Sequence, residues 1–427
     1  MRETEPLIQE TLVTEELPSG LRVSVIPRRG QRRTYATFAT YYGSIDSHFR
    51  LPESGQTVDV PDGIAHFLEH KLFEKPDGDV MSDFSRLGAS TNAYTEYLTT
   101  TYLFSTTEHR EKCLEILLNF VQDPYFTPEN VEKEKGIIEQ EIRMYLDMPG
   151  DRLHSNLMRA LYVRHPVRLD IAGSVESIRQ ITPEELYQCY RTFYHPSNMW
   201  VFVDGDVDPD RVIAAVFENQ AGRDYKRQPP IPRILPEEPP TIHQERIAQR
   251  MPVALPMLAI GYKDPVENLS GPALARRELV TDLMWSLAIG RSSALFFELY
   301  EAGLINDRFG AQFEAAPTYA YSVLSGETRD PDALLERIER GLQKVHFDEK
   351  ALERHKRRHR GQYLALFNNP GQLAYAHNSF YVRQVDLFHY LEDLDGITLA
   401  AIEERFHEHV RADRRALSLI EPEDAKR

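Results

Sequence analysis

Hydrophobic and polar positions alternate with two different periods along the chain. Four stretches show the period of about two that half-buried strands have, at 21–26, 35–42, 90–95 and 101–105. Five stretches show the period of about 3.6 that amphipathic helices have, at 62–74, 111–122, 128–147, 151–163 and 183–194. Because the strands come in pairs and the helices in runs, the pattern predicts an α+β fold, a mostly antiparallel sheet with helices on one face.

The last of these helices has a clear start in the sequence. Thr182 is a good N-cap residue, Pro183 suits the first helical position, and two acidic residues follow in the first turn. The sequence therefore predicts a helix that begins directly after Thr182.

A proline-rich segment, 226–242, interrupts the middle of the chain. Proline fixes φ and removes a backbone donor, so we predict an extended linker here rather than a helix or a central strand. The sequences on its two sides resemble each other at a constant separation, in the pairs 126–135 with 347–356 and 148–150 with 369–371. We therefore predict two homologous α/β sandwich units, an N-terminal domain at 1–225 and a C-terminal domain at 243–427 that repeats it.

Composition and charge exclude several classes of protein. The 427 residues are 41% hydrophobic, which is typical of globular domains large enough to fold without a structural metal. The net charge of −16 argues against nucleic acid as a partner, because such a chain would repel a phosphate backbone unless its basic residues were concentrated in one patch. Cys113 and Cys189 lack C-x-x-C spacing and are predicted to be reduced core thiols. With no apolar leader and no long uncharged run, we expect a soluble, cytoplasmic protein without a membrane partner.

The strongest chemical signal is the run from His66 to His70, with Glu69 between them. In a helix, His66 and His70 would lie on one face, about 40° apart around the axis and about 6 Å apart along it. Two imidazoles at this separation can ligate one metal ion. The carboxylate of Glu69 could then deprotonate a water whose pKa the ion lowers.

A hydrolytic metal centre needs a third protein ligand, and the acidic helix at 128–147 offers candidates. Glu134, Ile138, Glu141 and Tyr145 share one stripe of that helix. An acid on a stripe with apolar residues is expected to face inward, where it needs a buried partner. Helical spacing allows either Glu134 or Glu141 to be the ligand.

These residues resemble the zinc peptidases of the pitrilysin/insulysin family, in the branch that includes the mitochondrial processing peptidase. The run His66 to His70 is the inverted H-x-x-E-H motif, and the downstream pair Glu134 and Glu141 matches the family as well. The resemblance implies one zinc ion bound by His66, His70 and Glu141. It also implies that Glu69 is the general base and that Glu134 orients a ligand.

The resemblance further implies how substrate is held. Asn92, Ala93 and Tyr94 would lie on an edge strand beside the zinc helix, where an extended peptide adds by main-chain hydrogen bonds. Two such units would form one half of a duplicated clamshell that admits unfolded peptides. The resemblance thus implies a zinc-dependent endopeptidase that cleaves peptides or unfolded segments. The alternative is a non-catalytic structural or peptide-binding member of the same fold, because fold alone does not fix function.

The second half of the sequence lacks the metal-binding residues. Gln362 stands at the repeat position of Glu141, so the C-terminal domain is predicted to be a metal-less repeat. Active family members place an Arg and a Tyr in this half to stabilise the oxyanion, whereas here Tyr300 and Asp307 stand in those places. The resemblance therefore implies a zinc-less paralogous subunit as partner in a heterodimer, with a homodimer as the other possibility.

Overall fold

The computed structural model describes residues 1–5, 9–223, 225–266 and 268–423. Its strands are, in chain order, β1 (Arg2–Glu5), β2 (Glu10–Glu16), β3 (Arg22–Pro27), β4 (Thr34–Thr40), β5 (His48–Arg50), β6 (Thr57–Asp59), β7 (Glu74–Lys75), β8 (Gly78–Asp79), β9 (Ser90–Thr95), β10 (Thr100–Thr106), β11 (Met199–Gly205), β12 (Arg246–Met251), β13 (Met257–Asp264), β14 (Gly310–Ala315), β15 (Ala320–Glu327) and β16 (Arg415–Pro422).

Its helices are, in chain order, α1 (Ile64–Lys71), α2 (Val80–Arg86), α3 (Arg110–Val121), α4 (Pro128–Leu146), α5 (Pro149–Leu161), α6 (Val175–Ile178), α7 (Pro183–Phe193), α8 (Pro209–Ala221), α9 (Gly271–Ala288), α10 (Ala294–Glu301), α11 (Pro331–Gln343), α12 (Glu349–Leu366), α13 (Pro370–Val382) and α14 (Leu399–His409). The predicted strands correspond to β3, β4, β9 and β10, and the predicted helices to α1, α3, α4, α5 and α7. Within the described ranges, every helix is too short or too polar to span a lipid bilayer.

The described residues form two compact units, each built on one sheet with packed helices, which confirms the predicted α+β class. The first unit takes its described residues from Met1–Ile142, Asp170–Leu235 and Leu364–Val382. The second takes its described residues from Arg143–Leu169, Pro236–Tyr363 and Arg383–Arg427. Each unit thus contains segments from both sides of the proline-rich linker. The linear boundaries 1–225 and 243–427 stay a prediction.

The first unit has a seven-stranded sheet in the order β1-β2-β3-β11-β4-β10-β9. Its strand pairs are antiparallel apart from β3 and β11, which run parallel. Side chains alternate between the two faces. Val201 and Val203 of β11 lie in the apolar core that α1, α3 and α7 complete. On the opposite face, Trp200 Nε1 donates to Asn378 Oδ1 of α13 at 2.8 Å, and the Phe202 ring also packs on this helix.

The second unit has a five-stranded sheet in the order β12-β16-β13-β15-β14. Helix α5 packs closely on one face at Gly261 of β13, where a Cβ would lie 2.8 Å from Leu161 Cδ1. A larger residue here would therefore require the side chains of Leu157 and Leu161 to move. On the other face, Trp285 Nε1 of α9 donates to Ser322 Oγ of β15 at 2.7 Å.

Helices α5 and α13 are exchanged between the two halves of the sequence. Helix α5 follows α4 in the first half yet belongs to the second unit, and α13 lies in the second half yet belongs to the first unit. Their starts are the two segments 148–150 and 369–371 that resemble each other. In each unit the exchanged helix covers the sheet face opposite to the unit's other helices, so both faces carry helices.

The proline-rich segment 226–242 contains no helix and no strand of either sheet. Arg233, in its first part, donates from Nε to Asp46 Oδ1 at 2.7 Å within the first unit. Glu238, in its last part, accepts three hydrogen bonds from consecutive backbone amides, those of Val163, Arg164 and His165. Each end of the segment is therefore fixed to the unit that it enters.

Candidate active site

Helix α1 carries the predicted metal-binding motif and is held by the core of the first unit. It begins after Gly63, whose φ of +89° lies in the left-handed region. A Cβ on Gly63 would lie 2.4 Å from the carbonyl oxygen of Ala172, so glycine is required here. Phe67 and Leu68 are fully buried in the core and fix the rotation of the helix about its axis.

The structure brings His66 and His70 of α1 together with Glu141 of α4. His66 Nε2 lies 3.7 Å from Glu141 Oε1, and His70 Nε2 lies 3.4 Å from Glu141 Oε2. One possible ligand atom from each residue lies within 4.8 Å of the other two. Two imidazole nitrogens and one carboxylate oxygen match the ligand set of catalytic zinc, which keeps a further position open. The group therefore fits an H-x-x-E-H metal site.

Glu134 of α4 holds His70 in its orientation. His70 Nδ1 donates to Glu134 Oε1 at 3.0 Å, which leaves the lone pair of Nε2 on the side of Glu141. The other Glu134 oxygen lies 3.6 Å from Nζ of Lys71, a fully buried ammonium group. Burial alone would raise the pKa of Glu134, but the hydrogen bond from His70 and the charge of Lys71 outweigh it, so the pKa is lowered. Glu134 is therefore an anion that hydrogen-bonds His70, a candidate metal ligand.

The protonation of the two histidines differs because their neighbours differ. Burial, together with the nearby His70, lowers the pKa of His66 to about 4. His66 is therefore neutral at neutral pH, which is the form that metal ligation requires. Its Nδ1 is buried and has no hydrogen-bond partner among the described residues. Burial also acts to lower the pKa of His70, but Glu134 and the other carboxylates outweigh it and raise that pKa.

Glu69 lies next to the candidate metal ligands without belonging to them. Its side chain is 8% exposed, and Thr95 Oγ1 donates to its Oε2 at 2.6 Å. Burial raises the pKa of Glu69 to about 7, against the opposing effect of the Thr95 hydrogen bond. A carboxyl group that titrates near neutral pH can both accept and deliver a proton under physiological conditions.

Strand β9 lies at the edge of the sheet, beside α1. It contains Asn92, Ala93 and Tyr94 and pairs only with β10, with Ala93 opposite Tyr102. Its second edge has no neighbour in the sheet formed by the described residues. An edge of this kind presents backbone donors and acceptors to an incoming strand.

Sequence reasoning missed two contacts of the site and misplaced one residue. Thr95, which hydrogen-bonds Glu69, follows Tyr94, and strand alternation puts it on the same face as Ala93. Lys71 follows His70 directly, but nothing in the sequence shows that its ammonium group is buried. Tyr145, predicted to share the inward stripe, has a side chain that is 39% exposed. The stripe turns outward there because α4 extends beyond the core of the first unit.

Family models match both halves of the chain. Residues 53–174 match the model described as Insulinase (Peptidase family M16), and residues 180–358 match the model described as Peptidase M16 inactive domain. The first match contains all five residues of the candidate site, which are His66, Glu69, His70, Glu134 and Glu141.

Relatives with similar sequences and structures agree with these models. The uncharacterized zinc protease YmfH of Bacillus subtilis is 42% identical over 97% of both chains. A crystal structure described as M16-like, from Alicyclobacillus acidocaldarius, has a TM-score of 0.93 at 40% identity and covers 97% of this chain and 99% of its own. Pitrilysin shares the fold, with a TM-score of 0.74 at 15% identity over 46% of its length. The chain therefore belongs to the insulinase family of peptidases, family M16.

Proposed function

We propose that this chain is a zinc-dependent endopeptidase that hydrolyses peptides or unfolded protein segments held along strand β9. The observation that carries the proposal is the convergence of His66, His70 and Glu141 within 4.8 Å, with the buried carboxyl of Glu69 beside them. Similar proteins are named as zinc proteases, and these names support the same chemistry.

We propose one zinc ion per chain, which the Nε2 atoms of His66 and His70 and the Glu141 carboxylate would hold; their closeness supports this. When bound, zinc supplies Lewis-acid polarisation of the scissile carbonyl and lowers the pKa of water. Glu134 keeps the His70 ring in place through Nδ1. Because Glu134 is anionic, it also raises the basicity of His70 as a ligand.

Glu69 moves the proton. Its carboxylate accepts a proton from the attacking water, and the carboxylic acid then delivers it to the amine that leaves. Burial supports both steps, because it brings the pKa of Glu69 to about 7. The hydrogen bond from Thr95 holds one carboxylate oxygen and leaves the other one for proton transfer.

Strand β9 is proposed to hold the substrate. A peptide added along Asn92, Ala93 and Tyr94 would be bound by main-chain hydrogen bonds, which do not depend on its sequence. Because Thr95 contacts Glu69, the added strand would pass the candidate base at the C-terminal end of β9.

Exchange of Glu69 for Gln tests the proposal. Glu69→Gln keeps the shape of the side chain and the metal ligands, so we expect bound zinc to be retained while peptide cleavage falls by about 10²–10⁴-fold. Zinc is measured by mass spectrometry of the purified protein and cleavage with a quenched fluorescent peptide.

Glu132→Gln is the matched control, because Glu132 is an exposed acid on α4 that pairs with Lys135. It should change neither zinc content nor cleavage. Cleavage that survives Glu69→Gln would show that the base is another group. Negligible zinc in the purified wild-type protein would favour the non-catalytic alternative.

We also propose a zinc-less paralogous subunit as partner, since Tyr300 and Asp307 occupy the positions where the family resemblance implies an oxyanion-stabilising Arg and Tyr. Tyr300 lies on α10 and Asp307 in the loop before β14, both in the second unit. Light scattering combined with a cleavage assay tests this proposal. Full turnover by the isolated chain as a monomer would contradict it.

A further inference from the structure

Helices α3 and α8 of the first unit run side by side in the same direction. Near their first turns, Arg211 Nη1 of α8 lies 3.8 Å from Glu111 Oε1 of α3. Near their last turns, Asn219 Nδ2 of α8 donates to Asn119 Oδ1 of α3 at 2.8 Å. On each helix the two contacts are separated by about 12 Å along the axis, at 1.5 Å per residue. They close the space between the helices at both ends.

A gap remains between these two contacts. Helix α8 presents the small side chains of Ala214 and Ala215 to it, and the resulting cavity has a volume of about 1050 Å³. Its floor consists of buried apolar side chains from the sheet and from both helices, which are Phe104, Leu114, Leu118, Val203 and Val212. A cavity of this size with an apolar floor is typical of sites for small ligands. Because both ends are closed, the gap suits an occupant of about 12 Å rather than a long helix or strand.

The end of the gap at the start of α3 carries polar groups that lack partners. Arg110 donates from Nη2 to the backbone oxygen of Arg32 at 3.4 Å, but its buried Nε has no hydrogen-bond partner among the described residues. Thr34 of β4 lines the same end and is 1% exposed, and its Oγ1 also lacks a partner within the described ranges. His109, the N-cap residue of α3, makes no side-chain hydrogen bond to the first amides of the helix. This end therefore offers a guanidinium group, a hydroxyl group and the positive end of a helix dipole to an anion.

Most carboxylates at this end already have contacts. Glu111 pairs with Arg211, and the Asp208 carboxylate accepts from the backbone amide of Asp210 at the start of α8. Asp206 is exposed, whereas Arg110 is half-buried. Because water screens an exposed charge more strongly, the charge of Arg110 acts more strongly on a group in the gap than that of Asp206 does. The apolar floor and the charge of Arg110 together favour a ligand with an alkyl chain and an anionic head.

We propose that the gap between α3 and α8 binds a medium-chain aliphatic carboxylate. Its alkyl chain lies on the apolar floor, and its carboxylate accepts hydrogen bonds from Arg110 and Thr34. None of the candidate metal ligands is among the described residues that line the gap. The inference therefore goes beyond the proposed function and does not depend on it.

Isothermal titration calorimetry with fatty acids of increasing length tests the site. Hexanoate, octanoate and decanoate are titrated into the full chain below their micelle concentrations. We expect one site per chain, with an affinity that rises by about fourfold for each added methylene group, because each one buries further apolar surface. An affinity that does not depend on chain length would contradict the placement of the alkyl chain on the apolar floor.

Filling the gap gives the decisive comparison. Ala215→Phe places a ring in the gap from an exposed position of α8, so the core is unchanged and decanoate should bind more weakly by about tenfold or more. Ala221→Phe is the matched control, because Ala221 is exposed on the last turn of α8 and is not among the described residues that line the gap. It should bind decanoate as the wild type does.

Removing the charge of Arg110 tests the position of the carboxylate. Arg110→Met should weaken decanoate binding by about tenfold, the size of a charge-assisted contact, and leave the binding of decanol unchanged. Arg86→Met, at an exposed arginine of α2 that pairs with Asp83, is the control and should affect neither ligand. Equal losses for decanol and decanoate in Arg110→Met would refute this position of the carboxylate.

Two results would overturn the site itself. One is the absence of decanoate binding to the wild-type chain, and the other is binding that Ala215→Phe leaves unchanged. Circular dichroism of each variant shows that it is folded. Peptide cleavage is not measured in any of these titrations, so a failure of the proposed function would leave their results unaffected.

Discussion

Glu134 and Glu141 lie two turns apart on helix α4, but their carboxylates contact different nitrogens of the histidines. Glu141 lies near the Nε2 atoms of both rings, whereas Glu134 binds Nδ1 of His70. Helical spacing allowed either acid as the metal ligand, because it gives the face of a residue but not the reach of its side chain. The geometry supports Glu141 as ligand and Glu134 as the residue that orients His70.

The hydrogen bond between Glu134 and His70 should affect zinc affinity. Glu134→Ala removes the acceptor of the His70 Nδ1 hydrogen bond, so His70 can rotate and lose basicity. We expect zinc affinity to fall by about 10–100-fold, the usual effect of removing such a partner. Competition with a fluorescent chelator measures the affinity. Glu132→Ala, an exposed acid on the same helix, should leave it unchanged, and an unchanged affinity in Glu134→Ala would refute the orienting role.

Among the contacts between α13 and the first sheet, the side-chain amide of Asn378 is fully buried and accepts from Trp200 Nε1. Asn378→Ala would leave the Trp200 indole N–H buried without its acceptor. We therefore expect the free energy of unfolding to fall by about 1–3 kcal/mol. Urea denaturation followed by tryptophan fluorescence measures it. Gln372→Ala, an exposed position on α13, serves as control and should cost less than about 0.5 kcal/mol.

The start of helix α7 gives a second prediction at this scale. Thr182 accepts from the backbone amide of Glu185, and the Glu185 side chain accepts from the backbone amide of Thr182, which completes a capping box. Thr182→Ala should lower the free energy of unfolding by about 1 kcal/mol. Thr182→Ser keeps a hydroxyl acceptor and should therefore lower it much less. Equal losses in both variants, measured by chemical denaturation, would argue against a capping role.

The sequence predicts where helices and strands lie better than it predicts which of them pack together. Strands β9 and β10 and helices α1 and α4 were all predicted, because periodicity reports which face of an element is apolar. The exchange of α5 and α13 was not predicted, because an apolar stripe does not specify which sheet will cover it. The contact between Tyr375 and Glu96 was missed for the same reason, because it requires α13 to lie in the first unit.

The stability of the folded chain should depend on pH through Asp264 in the second unit. Arg405 Nη2 and Arg277 Nη2 bind its carboxylate at 2.6 and 2.7 Å, and His409 lies beside it. Burial alone would raise the pKa of Asp264, but contacts from His409, Arg277 and Arg405 outweigh it and hold the pKa well below its usual range.

Because the pKa of Asp264 is lower in the folded state, its contribution to stability is present above the unfolded value of about 4 and is lost as pH falls below it. Asp264→Asn removes the buried carboxylate that binds the buried Arg405 and the partly buried Arg277, which both retain Glu408 as an anionic partner. It should lower the free energy of unfolding at pH 7 by about 3 kcal/mol, the low end for a broken buried ion pair. The variant should also lose less stability than the wild type between about pH 4 and pH 2. Urea titrations across this range measure both effects, and an acid dependence equal to that of the wild type would contradict the assignment.

The exchange of α5 and α13 also determines how the chain would behave if it were produced as two fragments. A polypeptide that stops within 226–242 would include α5 without the sheet on which it packs, and its own sheet would lack α13. The fragment from the second half of the chain would include α13 without the first sheet, and its own sheet would lack α5. When the fragments are produced separately, each should therefore expose one uncovered sheet face and aggregate. When they are co-expressed, each should supply the helix that the other lacks. The chain could thus serve as a scaffold for a split-protein reporter.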